Sequence, residues 1–321
     1  MSSSRREFLS SSAAMGVVAI APHFLRASTS CPFRVAVIND EISQDFDHAC
    51  SVAARDFHLQ WIELRGMWNK NLTTLDANEL AEARRILAKY NLRATDIASP
   101  LFKTDWPGAP ISKQSERRDQ FHASDTFHQQ DALLEHCIEL AKTFATDRIR
   151  CFDFWRLDDV TPYRTAINDK LRQAARRCAK DNLILILENE MSCNTATGAE
   201  AAATLAAIPE PNLMLNWDPG NAATFPGTTP YPKGYDLLPK HRIGHCHAKN
   251  VVRKPGGKWE WAPVNIGVVD WPNQLRALQR DGYRHAVSLE THWRGAGTPE
   301  ASTRVSMAGL KDALKQAGTN C

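Results

Sequence analysis

The chain has 321 residues, 43% of them hydrophobic and 23% charged, with a formal net charge of +3. This is enough apolar material for one large globular domain or two smaller ones. The excess of positive charge is too small for a nucleic-acid or membrane-surface binder.

The N-terminus reads as a targeting leader. Ser4-Arg5-Arg6-Glu7-Phe8-Leu9 is a twin-arginine pattern, followed by a weakly apolar stretch from Ala13 to Pro22 and then by small and polar residues. The apolar stretch is too short to span a bilayer, and its order after a basic segment is that of an export signal. The expectation is a Tat-type signal over residues 1–27, with the Tat export machinery as a partner, no stable membrane anchor and a periplasmic or extracellular destination. Removing Arg5, Arg6, Arg26 and Glu7 with the leader lowers the net charge from +3 to +1. An oxidising compartment permits disulfides. The eight cysteines form no Cys-x-x-Cys pair, which argues against a zinc knuckle or thioredoxin motif and suits buried small apolar side chains for most of them.

Beyond the leader, eight short apolar runs predict strands, at Arg34–Ile38, Trp61–Leu64, Leu92–Ala98, Arg148–Phe154, Leu183–Leu187, Leu213–Trp217, Ile243–His247 and Ala286–Leu289. Stretches of helical composition lie between most of them, such as Leu80–Ala88, Leu133–Ala141, Leu171–Ala179 and the Ala-rich Ala199–Ile208, with Leu310–Gln316 after the last. The sixth helix is the weakest, within Pro230–Lys240, where Pro and Gly crowd the sequence. Alternating strands and helices imply right-handed crossovers and a parallel sheet. Eight units predict an α/β fold, a single (β/α)8 TIM barrel over residues 33–318. No Gly-x-Gly-x-x-Gly follows the first run, which disfavours an open dinucleotide-binding sheet.

In such a barrel the active site lies where strands end. The last four strands run into Leu187-Glu188-Asn189-Glu190, Trp217-Asp218-Pro219-Gly220-Asn221, His245-Cys246-His247-Ala248-Lys249 and Leu289-Glu290-Thr291-His292. Each of these polar residues alone has a plain structural reading, as a rim residue, a turn initiator or a buried histidine. Adjacent strands are about 4.8 Å apart, so consecutive strand ends can converge on one ion. Four of them together point to a metal site.

These segments, with Pro211–Asn221, Ile243–Asn250 and Ser288–Glu290, resemble the xylose-isomerase-like TIM barrels of the sugar-phosphate isomerase/epimerase family. The resemblance covers the barrel from about residue 33 onward and is most specific in its second half. It implies that Glu188, Asp218, His247 and Glu290 bind one divalent metal, and that Glu188 and Glu290 also act as the catalytic acid/base pair. A histidine common in the epimerases three residues beyond the metal Asp is Asn221 here, and Asn250 replaces a more usual Asp. Arg253 lies six residues beyond His247, as in some epimerases.

Three carboxylates and an imidazole suit Mn²⁺ or Mg²⁺, with Co²⁺ or Zn²⁺ also compatible. A metal that polarises a carbonyl and its neighbouring hydroxyl makes the adjacent C–H acidic, so that a carboxylate can remove the proton to form an enediolate. The expected activity is isomerisation or epimerisation of a small carbohydrate, a keto-sugar or related polyol, with dehydration of a keto-polyol as the alternative outcome. Glu63, Arg156, Asn221, Lys249 and Arg253 are candidate substrate contacts. Glu63, Arg65, Asp153 and Arg156 can equally form rim salt bridges, and Trp155, Trp217, Trp293 and Phe154 can equally pack in the core. No phosphate cradle is evident. An endonuclease-IV-like hydrolase would need more metal ligands and a basic groove. A non-catalytic exported sugar-binding barrel would have no use for two metal-held carboxylates.

Overall fold

The structure is a computed structural model that describes residues 31–115, 124–319 and 321. The predicted leader lies outside these residues. Eight parallel strands form the sheet: β1 Arg34–Val37, β2 Trp61–Leu64, β3 Arg93–Leu101, β4 Arg148–Cys151, β5 Ile184–Glu188, β6 Leu213–Trp217, β7 Ile243–Ala248 and β8 Ala286–Leu289. Neighbours in sequence pair in order from β2 to β8, and β8 pairs with β1. The ring closes at a single parallel bridge between Ile38 and Glu63, so the fold is a nearly closed (β/α)8 barrel.

The outer helices are α1 Phe46–Ser51, α2 Ala77–Lys89, α3 Gln130–Thr143, α4 Arg164–Ala179, α5 Gly198–Ala207, α6 Pro219–Thr224, α7 Trp271–Arg280 and α8 Pro299–Gln316. Local chemistry sets their starts. Asp76 with Glu79, and Thr197 with Glu200, form reciprocal capping boxes on α2 and α5. The sixth helix differs from the sequence expectation. Pro230–Gly234 makes only a short turn, with Tyr231 in extended backbone. The helix itself is α6, started by the Asp218 side chain, which accepts from Asn221 N–H, and by Pro219 in its first turn.

Strand four also stops earlier than its apolar run. Beyond Cys151, Phe152 and Phe154 N–H groups still donate to Leu101 and Phe102 carbonyls. Phe154, however, takes a left-handed backbone (φ 69°), which breaks the ladder. The chain after β7 folds back as a hairpin, Asn250–Arg253 against Trp259–Ala262.

Side chains alternate across the barrel wall. Ile62, Leu64, Leu185, Leu187, Leu215, Trp217, Val287 and Leu289 join the apolar layer under the helices. The barrel axis instead carries buried Glu63, Arg150, Glu188, Asn216, His245, His247 and Ser288. Gly244 is the extra residue of a bulge, because Leu215 pairs with Ile243 while the next residue, Asn216, pairs with His245. A Cβ there would lie 2.9 Å from Cβ of Met214. The bulge restores the phase in which His245 and His247 both point inward.

A disulfide joins Cys31, just before β1, to Cys321 beyond α8. The other six cysteines are free and buried. Burial pushes the Cys137 thiol up to about 12, which suits an inert packing role. Among the described residues no helix is long and apolar enough to cross a membrane.

Candidate metal centre and active site

Glu188 closes β5, Asp218 follows β6, His247 lies on β7 and Glu290 follows β8. The structure brings all four together, with one ligand atom from each within 4.8 Å of the others. Nδ1 of His247 is 3.3 Å from Glu188 Oε1, 3.6 Å from Asp218 Oδ2 and 3.2 Å from Glu290 Oε2. No member is more than 2% exposed. His247 Nδ1 and Glu188 Oε2 are buried without a hydrogen-bond partner. Buried polar atoms are ordinarily satisfied, so three carboxylates converging on an imidazole nitrogen fit a cation held among them.

Each of the four side chains is braced from behind. Glu63 Oε1 is 3.0 Å from Nε2 of His247. A carboxylate only accepts, so this contact favours a ring proton on Nε2, which Asn216 Nδ2 also approaches at 3.1 Å, and leaves Nδ1 facing the cluster. Asp218 Oδ1 accepts from Asn221 N–H at 2.7 Å, which orients Oδ2 inward. Asn221 Nδ2 donates to Glu188 Oε1 at 3.1 Å, and Arg150 Nη1 is 3.2 Å from Glu188 Oε2. Arg65 donates to Glu290 Oε1 at 2.8 Å and to Glu41 Oε1 at 2.8 Å. Lys249 Nζ lies 2.9 Å from Asp218 Oδ2 and 2.5 Å from Glu290 Oε2. Its stem runs past Gly220, where a Cβ would meet the Lys249 chain.

Charge is therefore concentrated and largely balanced. Burial alone would raise the Glu188 carboxyl, but His247 and Arg150 outweigh it and hold it at about 2. Burial opposes ionisation of Glu290 too, and Lys249, His292 and His247 hold it well below the usual range. Desolvation wins at Asp218, whose carboxyl is raised despite Lys249. Burial would lower His247, but Glu63, Glu188 and Glu290 hold it well above the usual imidazole value.

The candidate substrate contacts divide. Asn221 and Lys249 touch the cluster. Glu63 is fully buried beneath it and engages His247 rather than the mouth. Arg156 is not brought to the cluster. It donates to Cys193 O and to Glu200 Oε1, stacks 4.6 Å from the Phe225 ring centre, and lines a separate rim cleft of about 610 Å³. Arg253 is also remote, donating to the Thr228 carbonyl at 2.5 Å. Asn250 braces its loop, donating to the carbonyls of Val264 and Val269. Asp153 serves the β4 loop, accepting from Thr195 and pairing with Arg164. Trp217 packs in the core and donates to Gln274, and Trp155 is buried with Phe152 and Cys193.

Sequence reasoning missed Glu41, Arg150 and Trp261, and gave His292 no role beyond its place at a strand end. Trp261 projects from the β7 hairpin, 5.0 Å from the His292 ring and 5.1 Å from Lys249 Nζ. Trp261, His292 and Lys249 form a wall over the Glu290 side. Glu41 follows β1 in Asn39-Asp40-Glu41, a strand-end acidic signal like those of the later strands. Arg150 is legible from its inward phase two residues from Arg148.

Solved structures with the same fold include a magnesium-complexed xylose isomerase-like TIM barrel protein from Mycobacterium smegmatis. It is 16% identical, with a TM-score of 0.62 over 85% of this chain and 89% of that one. The probable 3-DHS dehydratase AsbF of Bacillus anthracis is 20% identical, with a TM-score of 0.63 over 87% and 97%. A D-allulose 3-epimerase from Methylomonas sp. is 16% identical, with a TM-score of 0.61 over 90% and 99%. No curated protein matches the sequence. The family model for the xylose isomerase-like TIM barrel matches residues 52–313. With its eight-stranded barrel and acidic, histidine-bearing mouth, the chain belongs to the xylose isomerase-like TIM barrel family.

Proposed function

We propose that this protein is a divalent-metal-dependent isomerase or epimerase of a small, unphosphorylated carbohydrate, with Glu188, Asp218, His247 and Glu290 as ligands. The observation that carries this reading is the convergence of three carboxylates on the unpartnered Nδ1 of His247. When bound, the metal, for which Mn²⁺ or Mg²⁺ suits the oxygen-rich donor set, supplies Lewis-acid polarisation of a hydroxy-ketone.

The remaining work falls to the chain's own groups. Glu188 and Glu290 are ionised and held by fixed donors, so one can take the proton next to the carbonyl and the other can return one. Lys249, between Asp218 and Glu290, places an ammonium beside the oxygens where negative charge develops. Trp261 and His292 exclude water from that side. The same enediolate can expel a β-hydroxyl, which makes a lyase the second reading. The shared fold of the Bacillus anthracis dehydratase supports keeping it in view.

Export by the Tat route completes the proposal. The Arg5-Arg6 pattern supports it, as does the Cys31–Cys321 disulfide, since such bonds persist in oxidising compartments. The deciding experiment is metal analysis of the purified protein, followed by deuterium incorporation from heavy water over a panel of ketoses and keto-glycosides. Exchange without loss of water marks an isomerase or epimerase, and exchange with net dehydration marks a lyase. Absence of exchange with every metal and substrate rejects the enediolate reading.

A further inference from the structure

The end of the barrel opposite the metal cluster carries a second cavity, of about 740 Å³. That size is typical of small-molecule sites, which run to roughly 300–1,000 Å³. Its apolar lining comes from Phe33, Phe57, Leu59, Trp61 and Leu314. Its charged lining is of one sign, Arg34, Arg284 and Lys311 with His58, and among the described residues no Asp or Glu lines it.

The surroundings add to the imbalance. Trp61 is flanked by two guanidinium groups, Arg34 at 4.7 Å and Arg93 at 3.9 Å from the ring centre. Asp147, the acidic side chain beside Arg34, is already ion-paired with Arg148. Burial and then the Arg148 charge lower Arg34 below its ordinary value. Burial, Arg148 and Arg34 together depress His285 to about 4. Asp147 offsets these shifts only in part, and cations that depress one another mark a net positive potential.

We infer that this basal cavity is a binding site for a small amphiphilic anion, an acidic head group on an apolar or aromatic body. The head group meets Arg34, Arg284 and Lys311 at the rim, and the body lies along Val35 and Trp61, the half-buried apolar part of the lining. A purely apolar ligand leaves the three positive charges without a counter-ion, and inorganic phosphate leaves Val35 and Trp61 uncovered. The leader, rich in arginine, has the wrong sign to fill it. The site is independent of the metal chemistry at the other end of the barrel.

The test uses the full chain with 8-anilinonaphthalene-1-sulfonate as fluorescent probe and with decanoate and decan-1-ol as competitors. The expected result is saturable dye binding that decanoate displaces at roughly tenfold lower concentration than decan-1-ol. Arg284→Gln with Lys311→Gln should weaken dye and decanoate binding roughly tenfold, with an unchanged melting temperature. Gln279→Trp, which fills the cavity without altering its charge, should abolish both. Equal displacement by acid and alcohol, binding indifferent to all three substitutions, or binding only to anionic lipid vesicles would each overturn the inference.

Discussion

Glu63 Oε1 lies 3.0 Å from His247 Nε2, on the side of the ring opposite the three carboxylates that face Nδ1. A residue from β2 thereby favours a proton on Nε2 of a residue on β7, across the barrel axis. Glu63→Gln keeps the size and removes the charge, so the imidazole loses its fixed tautomer and some basicity. Metal affinity should fall by roughly 10–100-fold, measured by competition with a chelating dye, while the far-ultraviolet circular dichroism stays unchanged. Unaltered affinity would reduce Glu63 to a packing role.

The proposed catalytic pair is tested by Glu188→Gln and Glu290→Gln. Each retains one oxygen ligand but no base. Turnover should drop by roughly 10²-fold or more in each, with a smaller loss of bound metal. In an epimerase the two variants should differ in which epimer still exchanges its proton with solvent. Near-normal turnover in both, with metal in place, would rule the pair out as acid and base.

Lys249 neutralises Asp218 and Glu290 in the absence of metal. Lys249→Met leaves two buried carboxylates uncompensated, at a cost of about 3–5 kcal/mol. The variant should therefore melt lower than the native chain in chelator, and added Mn²⁺ should recover more of its stability than it adds to the native chain. Equal metal-induced shifts in the two proteins would contradict this role.

His285 provides the pH prediction. Its Nδ1 lies 2.9 Å from Arg148 Nη2, so the folded state favours the neutral ring. Burial, Arg148 and Arg34 depress it to about 4 from 6.5. The unfolded chain then binds the proton more readily between those values. Stability is fullest above pH 6.5 and declines as pH falls toward 4. Melting temperatures measured from pH 7.5 to 4.5 should fall less steeply for His285→Gln than for the native chain.

Arg5→Lys with Arg6→Lys should leave precursor in the cytoplasm if the twin arginines are read by the Tat machinery. Fractionation that still finds the double variant exported by that route would count against the proposed localisation.

The strands were legible because their outward faces are unbroken apolar residues in short runs, as in Leu183–Leu187 and Leu213–Trp217. The four converging residues were legible because each falls at or just after the end of a readable strand. What escaped depended on contacts between distant segments. Arg65 reads as a rim cation, yet it reaches Glu290 from a position 225 residues away. Arg156 and Arg253 hold the right charge for a substrate, but loop carbonyls and Glu200 claim them first. Trp261 stands on a hairpin whose register is set by pairing with Asn250–Arg253, a partner that no local pattern announces. The short sixth helix was misplaced because its start signal, Asp218-Pro219, doubles as a strand-end polar motif.

The link between Cys31 and Cys321 carries one more consequence. It fastens the segment before the first strand to the segment beyond the last helix, at the seam where β1 and β8 already lie side by side. Residues 31 to 321 are therefore a covalent ring. A protease that cuts one surface loop opens the ring without releasing a piece, and both fragments stay together on a gel until a reductant is added. A cut at a single exposed loop therefore leaves the segment bearing Glu188, Asp218, His247 and Glu290 still fastened to the segment bearing Glu63 and Arg65.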